Sequence, residues 1–188
     1  MNEKKKLEEA KYFLSKMNEE QKTKENFIFN LSAFLSATRS VLQYALKESV
    51  QKPGGQSWYD KLMSISPELR FLKDERNINI HAEPTNPKAN YILHAETGHF
   101  TIKPGSVSMT IHDKDGNIKQ QTQRHEENAD IQHMTPTKNE TTSPTPNEVI
   151  YFFDRWAGNE DVLALCQKCI QKLENAIKDG ISQGFITE

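Results

Sequence analysis

The chain has 188 residues, of which 35% are hydrophobic and 27% are charged, so it has room for one domain with an appendage and lacks a disordered composition. The formal net charge of −2 excludes a basic field over the whole protein, so any contact with nucleic acid must be local. No apolar run approaches the ~20 residues of a membrane-spanning helix, so no membrane partner is expected. The charged N-terminus lacks the apolar core of a signal peptide and the two cysteines fit a reducing compartment, which predicts a cytoplasmic protein.

Two amphipathic helices are predicted at the start of the chain. Residues 3–20 carry apolar side chains three or four positions apart among many Lys and Glu. Residues 24–49 form the longest predicted helix, and its apolar stripe comprises Phe27, Leu31, Phe34, Leu35, Thr38, Val41, Leu42 and Ala45. Arg39 lies in this helix, either as a surface or ion-paired residue or as a second cation beside a bound phosphate.

Two further helices follow a K-P-G-G breaker at positions 52–55. The first is short and covers residues 56–65. The next begins with Ser66 as N-cap and Pro67 at the first helical position. It is predicted to end at about His81, because two prolines follow at once. Its candidate inward residues are Leu69, Phe71, Leu72, Ile78 and Ile80.

From residue 90 the hydrophobic period changes from helical to two, which is typical of strands. Residues 90–123 are predicted to form three or four strands of a small antiparallel sheet inserted between the helices. Pro104-Gly105 and Asp115-Gly116 are its turn signals. Residues 124–147, rich in Thr, Pro, Asn, Glu and His, are predicted as a flexible linker.

Two helices are predicted after this linker. One runs from about residue 148 to Trp156, and the other is capped by Asn159 and ends before Gly180. The last helix carries Cys166 and Cys169 in the middle of its apolar stripe. We interpret them as buried structural cysteines, because a redox C-x-x-C lies exposed at a helix N-terminus and a zinc site needs a second ligand pair.

The strongest functional signal is R-N-I-N-I-H, which places Arg76, Asn77 and His81 at the end of the fourth helix. An arginine binds phosphate bidentately, and a histidine exchanges a proton near neutral pH. On an ideal helix, Asn77 and His81 share a face, but Arg76 and His81 lie about 140° apart. Their convergence requires the reach of the arginine, a distorted helix end, or a second copy of the chain. We favour the second copy, helped by the reach of the arginine.

The R-N-x-x-x-H motif, preceded by acidic residues and by a long amphipathic helix reading F-L-S-A-T-R-S-V-L, resembles the HEPN family. The resemblance covers residues 24–81, with the C-terminal helix as a further candidate, and leaves out residues 84–146. It implies a mainly α fold, a HEPN-like up-and-down helical bundle. With the small antiparallel β-sheet that the strand period predicts inserted into this bundle, we expect a single domain over residues 1–188. The resemblance also implies a homodimer with its two Arg76/His81 sites near the two-fold axis.

In function, the resemblance implies a metal-independent endoribonuclease of the toxin–antitoxin or defence type. His81 would act as base or acid while the ribose 2′-OH attacks phosphorus, Arg76 would bind the phosphate with Arg39 as a further cation, and Asn77 would orient the histidine or the phosphate. No metal or cofactor is expected, and DNA is not a partner because it lacks the 2′-OH. The expected partners are RNA and an antitoxin or nucleotidyltransferase.

Two other interpretations stay open at this point. One is a non-catalytic HEPN-like module that binds a nucleotide, RNA or protein. The other is a helical interaction protein in which Arg76 pairs with Asp74, Glu75 or a neighbouring helix and His81 caps the helix C-terminus. The acidic residues beside Arg76 would repel RNA and count against catalysis.

Overall fold

The computed structural model describes residues 2–95, 98–103, 106–112, 118–125 and 148–187. It confirms a mainly helical chain with a small inserted antiparallel sheet. The chain divides into two compact units, a helical unit of residues 1–87 and 155–188 and a sheet unit of residues 88–154. Within the described ranges, none of the helices combines the length and the apolarity needed to cross a membrane.

The helical unit is built around its longest helix. In the described part of this unit the helices are α1 (Asn2–Glu19), α2 (Lys24–Ser49), α3 (Gly55–Ser64), α4 (Pro67–His81) and α5 (Val162–Ser182). Each of the other four helices contacts α2. The stripe predicted for α2 is buried along its whole length, since burial of such a face is what stabilises an amphipathic helix in a protein.

The bounds of α4 agree with the sequence prediction. The helix begins at Pro67 and its last residue is His81. Ser66 occupies the predicted N-cap position, but its side chain makes no capping hydrogen bond. Among the five predicted inward residues, Leu69 and Leu72 are buried. Phe71 and Ile78 are half-buried. The prediction for Ile80 is wrong, because its side chain is 48% exposed.

Both ends of α5 differ from the prediction. Asp161, and not Asn159, is the N-cap, and its Oδ1 accepts a hydrogen bond of 2.9 Å from the Ala164 amide. Gly180 does not end the helix, which continues to Ser182. A Cβ at Gly180 would lie 2.7 Å from Ile186 Cδ1, so the missing side chain makes room for the C-terminal segment.

The sheet unit contains a sheet of order β4-β3-β2-β1-β5 in which all neighbours are antiparallel. The strands of this sheet are β1 (Lys88–Ala95), β2 (Gly98–Lys103), β3 (Ser106–His112), β4 (Ile118–His125) and β5 (Glu148–Phe152). The helix predicted for residues 148–156 is wrong, because residues 148–152 form β5. This segment reads E-V-I-Y-F, and Val149 and Tyr151 are buried on either side of a half-buried Ile150, the alternation of a strand.

The first and last strands of the sheet unit are neighbours. Lys88 is paired with Phe152 in the register of β1 and β5, so the chain leaves the sheet beside the point where it began. Lys88 Nζ also lies 3.1 Å from Asp154 Oδ2. Of the predicted linker, residues 124 and 125 belong to β4, and residues 126–147 lie outside the described residues, as do both predicted turns.

Candidate functional site

The motif residues lie on a helix that is regular to its end. α4 is α-helical without interruption from Pro67 to His81, and the Ala82 amide donates to Ile78 O at 2.9 Å as the helical pattern requires. A distorted helix end therefore does not bring Arg76 and His81 together. Helical spacing keeps these two side chains about 140° apart around α4 of one chain.

His81 lies in the last turn of α4 and is exposed. Asn77, one turn earlier on the same face, is half-buried. Its Oδ1 lies 3.5 Å from Arg76 Nη1, a distance at the outer limit of a hydrogen bond. Asn77 thus shares a face of α4 with His81, and its side-chain contact is with Arg76.

Arg76 is half-buried, and its Nε is buried without a hydrogen-bond partner among the described residues. Within the same part of the chain it forms no ion pair. Asp74 lies 3.9 Å from Lys73, and the buried Glu75 is bound by Arg155. The structural interpretation predicted that Arg76 pairs with Asp74, Glu75 or a neighbouring helix, and no such ion pair is found in the described residues.

Arg155 is a residue that the sequence analysis missed. Its Nε and Nη2 donate to Glu75 Oε1 and Oε2 at 3.0 and 3.2 Å, and its Nη1 lies 3.7 Å from Glu83 Oε1. No local signal could identify this contact, because Arg155 follows the sheet unit in the chain. The two hydrogen bonds satisfy a carboxylate that would otherwise be buried at high cost.

Asn79 also acts in a way that the sequence did not reveal. Its Nδ2 donates to Ser32 Oγ at 2.8 Å, and its Oδ1 accepts from the Thr85 amide at 2.9 Å. The side chain thus ties the last turns of α4 to α2 and to the segment that follows the helix.

Arg39 lies in a pocket of about 280 Å³ between α2, α3 and α4. We call it the cationic pocket, and its lining residues are Arg39, Leu46, Tyr59, Asp60, Met63, Arg70 and Lys73. Burial raises the pKa of Tyr59, and the charge of Arg39 and a hydrogen bond with it partly offset this rise. The predicted second cation therefore lies with Arg70 and Lys73 of α4, a grouping that the sequence analysis did not foresee.

The cationic pocket shares a face of α4 with the histidine. Arg70, Asn77 and His81 are spaced by seven and four positions, so they lie within about 40° of one another around the helix. Lys73 lies about 60° from Arg70 on the side toward Arg76. Within one chain, the cations nearest to the direction of His81 are thus those of the pocket.

The two cysteines are buried as predicted. Burial raises the pKa of Cys166 and of Cys169 far above the usual thiol range, so both remain unreactive thiols. In the described ranges, no group of three or more His, Cys, Asp or Glu side chains is placed to hold a metal ion.

Comparison with known proteins returns no match for this chain. No protein-family model, no curated protein and no solved structure matches it, and the HEPN resemblance rests on the motif residues and the long helix before them.

Proposed function

We propose that the chain is a HEPN-like, metal-independent endoribonuclease that acts as a homodimer through Arg76, Asn77 and His81. The observation that carries the proposal is the state of Arg76. Two carboxylates precede it in the chain, yet neither forms an ion pair with it, and the described residues supply no other counter-ion. A half-buried guanidinium without a carboxylate partner keeps its charge and its donors for a phosphate.

The geometry of α4 supports the proposed dimer. Arg76 and His81 lie about 140° apart in one chain, so a single α4 does not direct both side chains at one phosphate. Two copies whose α4 helices end near a two-fold axis would place one chain's arginine beside the other chain's histidine. His81 is exposed in the last turn of α4, where a second copy can reach it.

In the proposed reaction, the 2′-OH of a ribose attacks the adjacent phosphorus and the bond to the 5′-oxygen breaks. One His81 takes the proton of the 2′-OH, and the His81 of the second copy protonates the leaving 5′-oxygen. Arg76 neutralises the charge that develops on the non-bridging oxygens. The products are a 2′,3′-cyclic phosphate and a 5′-OH, and DNA is not cleaved.

The test is cleavage of a 5′-labelled, unstructured RNA in EDTA by the wild-type protein and by His81→Ala, Arg76→Ala and Lys172→Ala. Lys172 is an exposed cation of α5, so its variant controls for a general loss of charge. We expect His81→Ala and Arg76→Ala to lower the rate at least about 100-fold, in line with the loss of a general base or an oxyanion donor, and Lys172→Ala to cleave like the wild type. Mass spectrometry of the products should show the cyclic phosphate.

Equal traces of cleavage in the wild type and in His81→Ala would contradict the nuclease. A monomer by light scattering at the assay concentration would contradict the shared site. Because His81 is exposed, its replacement removes little packing, and unchanged thermal unfolding would show that the variant is folded.

A second candidate is a non-catalytic HEPN-like module that binds a nucleotide, RNA or protein. It is favoured by the separation of Arg76 and His81 on α4 and by the cationic pocket, which contains no histidine. It predicts that nucleotides raise the melting temperature while the RNA stays intact.

A further inference from the structure

The cationic pocket carries more positive than negative charge. Arg39, Arg70 and Lys73 face a single carboxylate of the lining, Asp60. The Oδ1 of that carboxylate already accepts a hydrogen bond of 2.8 Å from Gln56 Nε2, one turn earlier on α3. The pocket therefore attracts an anion.

The three cations of the pocket are available to bind an anion. Among the described residues, neither Arg39 nor Arg70 forms an ion pair. Lys73 lies 3.9 Å from Asp74, whose side chain is 65% exposed. Such an exposed pair is weak, so a phosphate can replace the carboxylate at Lys73.

The shape of the pocket limits what can enter. Its volume of about 280 Å³ is at the lower end of the range for small-molecule sites, which fits one phosphate with part of its sugar but not a large cofactor. Leu46 and Met63 supply apolar wall beside the cations. Two guanidinium groups offer the bidentate geometry that phosphate oxygens accept.

The position of the pocket gives the ligand a direction. Arg70 and His81 lie on one face of α4 and are 11 residues apart, or about 16 Å along the helix axis. Asn77 lies between them on the same face. A chain of a few nucleotides spans this distance, whereas a single nucleotide does not.

We propose that the cationic pocket binds one phosphate of an RNA strand whose following nucleotides lie along α4 toward His81. The inference rests on the proposed function for the identity of the ligand as RNA. In this arrangement Arg39, Arg70 and Lys73 are positioning residues, because the phosphate that they bind is distant from the bond that is cleaved.

The test measures binding of a fluorescein-labelled 2′-O-methyl RNA decamer, which has no free 2′-OH and cannot be cleaved. Anisotropy titrations compare the wild type, Arg70→Glu/Lys73→Glu and a matched control, Lys47→Glu/Lys172→Glu. The control makes the same change in net charge at exposed lysines of α2 and α5. We expect the pocket variant to bind at least 10-fold more weakly and the control to change binding less than about threefold.

The salt dependence gives a second readout. Loss of the one phosphate contact that the pocket makes should reduce the slope of log K against log[salt] by about 0.7, the contribution of one contact with a single strand. The Arg70→Gln/Lys73→Gln variant, which removes the two charges without reversing them, should also bind the decamer more weakly and with a smaller salt slope. Its thermal unfolding should match that of the wild type.

Equal weakening by the pocket and control variants would overturn the proposal, because it would indicate general electrostatics. Binding of AMP as tight as that of the decamer would overturn the strand path along α4. The nuclease proposal fails separately. A protein that binds the decamer through the pocket but cleaves no RNA supports the docking site and contradicts the nuclease. Cleavage that is unchanged in the Arg70→Glu/Lys73→Glu variant contradicts the docking site alone.

Discussion

Glu75 and Arg155 are joined by two hydrogen bonds across 80 positions of the chain, with Nε to Oε1 at 3.0 Å and Nη2 to Oε2 at 3.2 Å. The Glu75 side chain is 4% exposed, so its charge depends on this partner. The pair ties α4 to the first residue of the helical unit after the sheet unit. Because Arg155 occupies Glu75, the neighbouring Arg76 is left without that carboxylate.

Replacing Arg155 should destabilise the helical unit. Arg155→Ala leaves the buried Glu75 without its bidentate donor, and we expect a loss of about 1–3 kcal/mol in the free energy of unfolding. Arg155→Lys keeps the charge but not the bidentate geometry, so its free energy of unfolding should lie between those of Arg155→Ala and the wild type. Urea denaturation measures both, with the exposed Lys172→Ala as control. A change below about 0.5 kcal/mol for Arg155→Ala would contradict the role of the pair.

Gly55 is required by the backbone at the start of α3. A Cβ at this position would lie 1.8 Å from the carbonyl oxygen of Ser49, a backbone atom that cannot move without shifting the end of α2. We expect Gly55→Ala to lower the free energy of unfolding by about 2–4 kcal/mol.

Gly184→Ala is the matched control for Gly55→Ala. Gly184 has a φ of +76°, but a Cβ there would meet nothing within 4 Å. The control should therefore cost only the backbone strain, about 1–2 kcal/mol. Thermal and urea unfolding compare the two variants, and a Gly55→Ala protein as stable as Gly184→Ala would show that the close approach is easily relieved.

The stability of the helical unit should fall at acidic pH because of Glu160. Hydrogen bonds from Lys168 and Trp156 lower the pKa of Glu160 from its ordinary value of 4.5 to about 2. A lowered pKa in the folded state means that the contribution is present above pH 4.5 and is lost as the pH falls through about 2. Glu160→Gln should thus be less stable than the wild type at pH 7, and the difference should narrow between pH 4.5 and 2.

The carboxyl resonance of Glu160 gives a direct measurement. In Lys168→Ala, which removes the largest cause of the shift, an NMR titration should show the pKa of Glu160 moving back toward 4.5. A titration curve that does not move would contradict the contact between the two side chains.

The sheet unit should be removable. Lys88 and Phe152 are cross-strand partners about 5 Å apart, so the two ends of this unit lie close together and a short linker can replace residues 88–154. We expect the shortened chain to keep its helical far-UV circular dichroism and a cooperative thermal transition, because α1 to α5 all lie outside the excised segment. Helical signal without a cooperative transition would show that the helices need the sheet to pack.

The sequence predicted the elements whose limits are set locally. Pro67 at the first helical position and the prolines after His81 fixed both ends of α4, and the long apolar stripe fixed α2. The same reasoning failed where a distant contact decides. Residues 148–152 become a strand because β1 offers a partner. Residue 180 is a glycine inside α5, where Ile186 and Trp58 occupy the space that a Cβ would fill.

The candidate site, too, could be predicted only in part from the sequence. The helical spacing in the sequence already predicted that Arg76 and His81 point in different directions, and the regular end of α4 agrees with that prediction. The position of Arg70 on the face of His81 could have been read from the same helical spacing. The grouping of Arg70 and Lys73 with Arg39 could not, because it depends on how α2, α3 and α4 pack.

Asn79 has a consequence for how the end of α4 behaves in solution. Its amide holds Ser32 on one side and the Thr85 backbone on the other, one turn or less from His81. A helix end that is anchored by hydrogen bonds on two sides frays less than an unanchored one. His81 is therefore carried by a rigid helix end, and amide hydrogen exchange at Ile80 and His81 should be slower than at Asn2 and Glu3, the first residues of α1.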